Sequence, residues 1–471
     1  AGHASALLGW EWDGGDAVWA PAWEHRLSAL VQQAGQAAAR AWGAQRSWLL
    51  WNGATAGVLA AFLSVCTPGA TVVLPRQAHR SALAALVLSG ARPVYVASPV
   101  LEDWDLPLPP CSRDVPALSG AGPLFVVSPT YYGVLPDLPE LVRKAWPQPV
   151  VVDEAHGSHL PFLDGLPHGL ACGACLVVHG VHKTLAAPTQ TGLLHLGTAP
   201  EAAPLWPQAG RVAACLAMVQ STSPNPALLA SLEQLAAAMQ RQGRARCAQA
   251  LAAAQEARER IEAAGPFRCL RPGDLPPPWL LDETRLVVDV TEAGMSGFEA
   301  QRRLMEDHGL WPEMADARRV VLVFTGADDA GTAQRAGEAF AALWREQAGR
   351  LAGAGAGSAA AAAAVAEAAR RGRQLRARHR LLARLPPPGE AAMTPREAFL
   401  GRARWVPWER APGEVAAEAV TPYPPGIAVV APGERVTAEA ARWVRAAREA
   451  GAEVQSWSGD GACGLWVVGP G

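Results

Sequence analysis

Lysine is nearly absent from this chain: of its 41 basic residues only two, Lys144 and Lys183, are lysine. Chemistry that needs a primary amine on a side chain therefore has two candidates. Charge of either sign is also scarce, at 18% of residues with a net value of −2. That balance gives no electrostatic case for nucleic acid or an anionic membrane as a partner. No apolar run is long enough to span a bilayer. Eight cysteines in 471 residues form no disulfide framework and read as reduced, buried thiols. Cys172 and Cys175 have the CxxC spacing but stand alone at a strand entrance, so no metal is assigned to them. The chain opens on alanine without a leader pattern, so it is expected to be processed, trimmed or incomplete. The cytoplasm is its expected location, with an organelle such as a plastid left open.

What the chain has is apolar material, half of its residues, arranged as short β-branched runs alternating with helical patterns. Two runs organise the rest. VVVDEAHGSHL (150–160) and CLVVHGVHK (175–183) each begin as a buried parallel strand. The first ends in Asp153, Glu154 and His156, the second in His179, His182 and Lys183. Ligands of open α/β sheets bind beyond the carboxyl ends of strands. An acid after one strand and a lysine after another suit pyridoxal phosphate. The lysine makes a Schiff base with the aldehyde, and the carboxylate keeps the pyridine nitrogen protonated. Lys144, in the amphipathic stretch LPELVRKAW, reads instead as a solvated surface charge.

In chain order, the periodicity predicts a helix over 24–43 and a strand over 48–51. A turn at Asn52-Gly53 then opens a helix from Thr55, either an ordinary strand–helix corner or an anion site. The strand TVVL is followed by His79 at the start of the next helix, on the same sheet edge as Asp153 and Lys183. A strand covers 93–97, the proline-rich 98–123 reads as a surface connection, and LFVV runs into Ser128–Tyr131. After TGLLHL and a proline-rich loop, STSPNP leads into a helix over 227–264. These elements imply a mostly parallel sheet covered on both faces. Residues 285–291, 297–308, 319–324 and 331–350 form a smaller βαβα block. The low-complexity 353–369 is a helical insert or a link. A third unit comes last, with strands IAVVAPG and LWVVG around a helix near 437–450. The expected division is 1–280, 281–385 and 390–471.

These residues together resemble the Orn/Lys/Arg decarboxylases, in their short form without an N-terminal receiver-like domain. The resemblance rests on NGATAG (52–57), PGATVVLPRQAHRSAL (68–83), SPTYYGVLPDL (128–138), VVDEAHGSHLPF (151–162), HKTLAAPTQTGLLH (182–195) and STSPNPALLASLE (221–233), with TPREAFLGRARWVPWE (394–409) and AEAVTPYPPGIAVVAPGE (417–434). It implies the aspartate-aminotransferase-like fold type I, with pyridoxal phosphate as cofactor. It also implies a small basic amino acid as substrate, and a homodimer or assembly of dimers. By the same resemblance, Lys183 carries the cofactor, Asp153 pairs with its ring nitrogen, and His79 stacks on the ring. His182, Thr55 and the backbone of Ala54 hold the phosphate, and His156 lies near the ring. Ser221, Thr222 and Ser223 approach the cofactor of the neighbouring subunit. The implied reaction removes the α-carboxylate of arginine, lysine or ornithine, returns a proton from Lys183 or His79, and feeds polyamine synthesis.

The chain departs from the pattern where serine is usual, at Ala54 and Gly180, and also at Val58, Tyr132 and Pro226. The family's His-x-Pro-Gly-His-Lys segment is reduced to Gly2-His3-Ala4 at most. Two other classes stay open: another fold type I reaction, such as amino transfer, and a non-catalytic or regulatory homologue. For the carboxylate that reads the substrate's side-chain cation, Asp13, Asp16, Glu154 and Asp164 are the candidates.

Overall fold

The computed structural model describes residues 21–118, 122–200, 203–352, 358–423, 426–461 and 463–469. Its centre is a seven-stranded sheet of β1 (Arg46–Leu50), β2 (Thr71–Pro75), β3 (Arg92–Val96), β4 (Leu124–Val127), β5 (Val150–Asp153), β6 (Leu176–His179) and β7 (Gly192–Leu196). The strand order is β1-β7-β6-β5-β4-β2-β3. Neighbours from β6 through β3 are parallel, and β7 alone runs against both of its neighbours. Every residue of β5 and β6 is buried, which is why their sequences are continuous apolar runs rather than alternating ones.

Helices α1 (Pro21–Trp42), α2 (Gly53–Val65), α3 (Arg80–Ser89) and α4 (Leu138–Ala145) belong to the same layered unit. Helix α2 is buried along most of its length, and Gly57 lets it approach the sheet closely. A Cβ there would lie 2.7 Å from Leu50 and 2.8 Å from Val178. That approach aims the start of α2 at the carboxyl ends of the strands.

A second sheet has four strands, all antiparallel: Arg268–Cys269, Arg285–Asp289, Arg319–Val323 and Met314–Ala315, in that order. It takes its edge strand from ahead of residue 281. The low-complexity stretch is helical from Ser358 to His379, with Ala364 and Ala368 buried. In the C-terminal unit, Ala403–Pro407 pairs with Gly464–Val468 and Val420–Tyr423 with Glu453–Ser456. The helix Pro395–Leu400 starts where TPRE predicts, because Thr394 and Glu397 cap each other's backbone N–H. Arg76, after β2, clamps this unit to the large sheet. Its Nη1 and Nη2 donate to Glu434 at 2.7 and 2.9 Å, and Nη2 also donates to Val429 O at 2.9 Å.

Four expectations change. Residues 98–118 are no surface connection: Trp104, Leu106, Leu108 and Cys111 are core, packed with Tyr132, Leu270 and Trp279. Proline richness misled here, because a proline has no N–H to satisfy and Pro109 and Pro110 bury readily. Lys144 is not a solvated charge; its Nζ donates to Ser112 O at 2.7 Å and to Val115 O. IAVVAPG is not a strand, since Ile427 and Val430 make only single bridges, to His79 and Val420. The loop before STSPNP contains a helix, Ala209–Val219. All eight cysteines are free. Among the described residues no helix is long and apolar enough to cross a membrane.

Candidate active site

The parallel strands bring their carboxyl ends to one edge. Asp153 closes β5, the single turn Val181–Lys183 comes after β6, and α2 begins shortly after β1. His79 follows β2 and caps α3, its side chain accepting from Ser81 N. Because β7 runs the other way, its start lies at this edge too, which places Gln190 and Thr191 beside the rest. A cavity of about 240 Å³ opens at this edge, lined among others by Ala54, Thr55, His79, Asp153, His156, His182, Lys183 and Gln190. Tyr131, Val58, Val127 and Pro129 form its apolar walls.

Lys183 Nζ lies 2.9 Å from His156 Nε2 and 5.8 Å from the centroid of the Tyr131 ring. Burial lowers the lysine below its ordinary value, and the nearby Asp153 opposes this. Burial raises Asp153, and Lys183 opposes that in turn; Asp153 Oδ1 also accepts from Ala155 N at 3.2 Å. The His156 ring packs against Tyr131, centroids 4.6 Å apart, and burial drives it well below the usual histidine range. Burial pushes His79 down to about 3, so it is a neutral ring. His182 Nδ1 donates to Thr191 O at 2.7 Å.

Behind the cavity runs a second polar chain. Ser47 Oγ is 2.6 Å from His195 Nδ1, His195 Nε2 is 3.1 Å from His179 Nδ1, and His179 Nε2 is 2.9 Å from Glu154 Oε2. Glu154 Oε1 accepts from Gly169 N at 2.9 Å. Burial pushes Glu154 up to about 8 and His179 down to about 3, so at neutral pH the pair is neutral. Glu154 is therefore no reader of substrate. Asp164 pairs with Arg244 on the surface, and Asp13 and Asp16 lie outside the described residues.

Two charged residues near the lysine carried no clear sequence signal. Arg285 opens a buried strand of the second sheet and donates to His156, and Glu313 precedes another of its strands. The Glu313 carboxylate acts electrostatically on Lys183, His182 and Arg285. Ser221, Thr222 and Ser223 do not line the cavity. They are exposed, with Ser221 N donating to Asn52 Oδ1 at 3.0 Å.

The donor set suits a phosphorylated aldehyde. Asn52 turns its side chain to Ser221, so no side chain caps α2, and the first-turn N–H groups beside Thr55 form an anion seat. Gly180 has a different part from the one its family position suggests. Its N–H goes to Ala155 O at 3.3 Å, and a Cβ there would lie 3.0 Å from that oxygen and 3.4 Å from Lys183 Cδ. A side chain at 180 would press on the Ala155 carbonyl.

Residues 25–107 and 112–280 match the family model described as Orn/Lys/Arg decarboxylase, major domain, and residues 380–455 match the C-terminal domain of the same family. The chain is 28% identical over 440 residues to an arginine decarboxylase of Bacillus subtilis (strain 168), covering 92% of this chain and 84% of that one. It is 30% identical over 423 residues to the uncharacterized protein YaaO of the same strain, covering 88% and 81%. The lysine decarboxylase LdcF of Francisella novicida superposes with a TM-score of 0.73 at 16% identity, over 93% of this chain and 71% of that one. Lysine decarboxylase A of Pseudomonas aeruginosa does so with a TM-score of 0.70 at 21% identity, over the same shares. At these identities the solved structures establish the fold. The chain belongs to the Orn/Lys/Arg decarboxylase family, fold type I enzymes whose cofactor is pyridoxal phosphate.

Proposed function

We propose that this chain decarboxylates a basic amino acid, arginine, lysine or ornithine, with Lys183 carrying the cofactor. One observation carries the reading: Asp153 ends one strand, Lys183 follows its parallel neighbour, and both open on one cavity. When bound, pyridoxal phosphate supplies the aldehyde and the ring that draws electrons from a breaking Cα–carboxylate bond. Asp153 would hold a proton at the ring nitrogen, and His79 would pack against the ring. Thr55, the Ala54 backbone and His182 would hold the phosphate. Since His182 Nδ1–H already serves Thr191, Nε2 is left for the phosphate and donates only when the ring is protonated. Tyr131 and the apolar walls exclude water, and Lys183 and His79 are the candidates for returning a proton to the substrate carbon. Glu313 is our candidate for reading the side-chain cation. Ser221 to Ser223 are candidates for reaching the site of a second copy, and the amine product is of the kind used in polyamine synthesis.

Carbon dioxide release from arginine, lysine and ornithine, with added cofactor, tests the reaction. Release from at least one of them is expected, and none from the Lys183→Ala variant. Turnover that needs a keto acid would replace the reading with amino transfer, and no turnover at all would favour a non-catalytic homologue.

The phosphate seat gives a second expected result. A hydrogen bond to a charged group contributes about 1.5–3 kcal/mol. Ala54→Ser should therefore tighten cofactor binding by about tenfold or more, equivalent to about 1.4 kcal/mol. Equilibrium titration of the cofactor-free protein measures it. Unchanged affinity would show that Thr55 and the backbone already satisfy the phosphate.

A further inference from the structure

His156 lies between the guanidinium of Arg285 and the amino group of Lys183, and its two ring nitrogens face different ones. Arg285 Nη2 is 3.0 Å from His156 Nδ1 and 2.9 Å from His156 O, while Lys183 Nζ is 2.9 Å from His156 Nε2. A guanidinium only donates, so Nδ1 must accept. A ring whose Nδ1 accepts carries its proton on Nε2. That N–H points at Lys183. An ammonium has three donors and no lone pair, so it would meet this N–H donor to donor. The contact is a hydrogen bond only when Lys183 is the free amine.

We infer that Arg285 fixes the tautomer of His156 so that it presents a proton to Lys183, and that these two residues position the lysine as a free amine. Arg285 is well placed to enforce this. It is fully buried, with Nε 3.7 Å from Asp282 Oδ2. Asp282 is itself held by His159 Nε2 at 3.0 Å and Thr284 Oγ1 at 2.6 Å. Among the described residues Nε and Nη1 of Arg285 have no hydrogen-bond partner, so the guanidinium's hydrogen bonds are the two to His156. Tyr131 packs on the imidazole and holds it in line.

Other groups around Lys183 act in both directions. Asp153 and Glu313 favour the ammonium, whereas burial and the charge of Arg285 oppose it. His79, His156 and His182 are all lowered by burial and add no cation. The His156 proton therefore adds to the side that keeps the amine free. A free amine is the form that condenses with an aldehyde. That consequence rests on the proposed role of Lys183, whereas the tautomer does not.

The test uses the full chain without cofactor. Nitrogen-15 NMR of labelled histidine, with the His156 signal assigned by its loss in His156→Gln, should show a pyridine-type Nδ1 and a pyrrole-type Nε2. Trace acetylation across pH, read by mass spectrometry, gives the titration midpoint of Lys183 with Lys144 as the internal reference. Arg285→Met frees Nδ1 to carry the proton, and should raise that midpoint by about one unit or more. Arg285→Gln keeps a donor but no charge; it should preserve the tautomer and raise the midpoint less. His156→Gln, whose amide oxygen can turn to an ammonium, should raise it as well, and keeps the test open if the Arg285 variants fold poorly. A pyrrole-type Nδ1 in the wild-type protein, or an unmoved midpoint in both Arg285→Met and His156→Gln, overturns the inference. Borohydride trapping of the cofactor on a residue other than Lys183 would overturn the proposed role of the lysine and leave the tautomer standing.

Discussion

Asp153→Asn is expected to lower turnover about 10²–10³-fold, a loss of about 2.7–4 kcal/mol of transition-state stabilisation, with the fold retained. The side chain is 6% exposed at the end of β5, and asparagine keeps both its shape and an oxygen to accept from Ala155 N. Only the charge is lost. In water such a charge would matter little, but in a buried site it acts at low dielectric, undiminished by solvent. Turnover at saturating cofactor measures the loss. Borohydride trapping on Lys183 should persist in the variant, separating an electronic defect from failed binding. Near-normal turnover would remove Asp153 from the proposed mechanism.

Glu434→Ala is expected to destabilise the chain by about 3–5 kcal/mol, because it leaves the Arg76 guanidinium buried without its partner. The two side chains are 4% and 6% exposed and meet through two hydrogen bonds, so solvent can do little for either alone. Against a typical total of about 5–15 kcal/mol, this is a large share. The loss should reach the site, because Gly426 O accepts from Arg80 N at 3.1 Å beside His79. Urea unfolding of the single variant and of Arg76→Met/Glu434→Leu decides the point. The double variant should recover most of the loss, since well-packed apolar side chains can replace a buried ion pair. A single-variant loss under about 1 kcal/mol would mean that the pair behaves as a solvated one.

Much of this cavity could be read from the chain because parallel sheets simplify sequence. Strands covered on both faces are continuous apolar runs, and the residues just after them lie at one edge. That logic brings His79, Asp153, His156, His182 and Lys183 together before any coordinates. It fails for neighbouring residues at a strand end. Asp153 and Glu154 look alike in sequence, yet one lines the cavity and the other is bonded to His179 and Gly169 behind it. It fails also for Arg285 and Glu313, far beyond Lys183 in the chain and carried by a different sheet. Their proximity is a property of how two units pack, which no local pattern encodes. The proline-rich segment after β3 failed for a third reason, since composition reports turn chemistry and not burial.

The row Ser47–His195–His179–Glu154 can be written in two directions with every hydrogen bond kept. Either Ser47 donates first and the last acceptor is a Glu154 carboxylate, or Glu154 donates first and the last acceptor is the Ser47 oxygen. With Glu154 raised to about 8, the second direction is the resting one at neutral pH. The row then carries its carboxyl proton on Glu154, behind the cavity. Ionised Glu154 would raise Asp153, so that proton spares Asp153 a second negative charge beside it. The burial that keeps Glu154 protonated thus favours the ionised state of its neighbour Asp153.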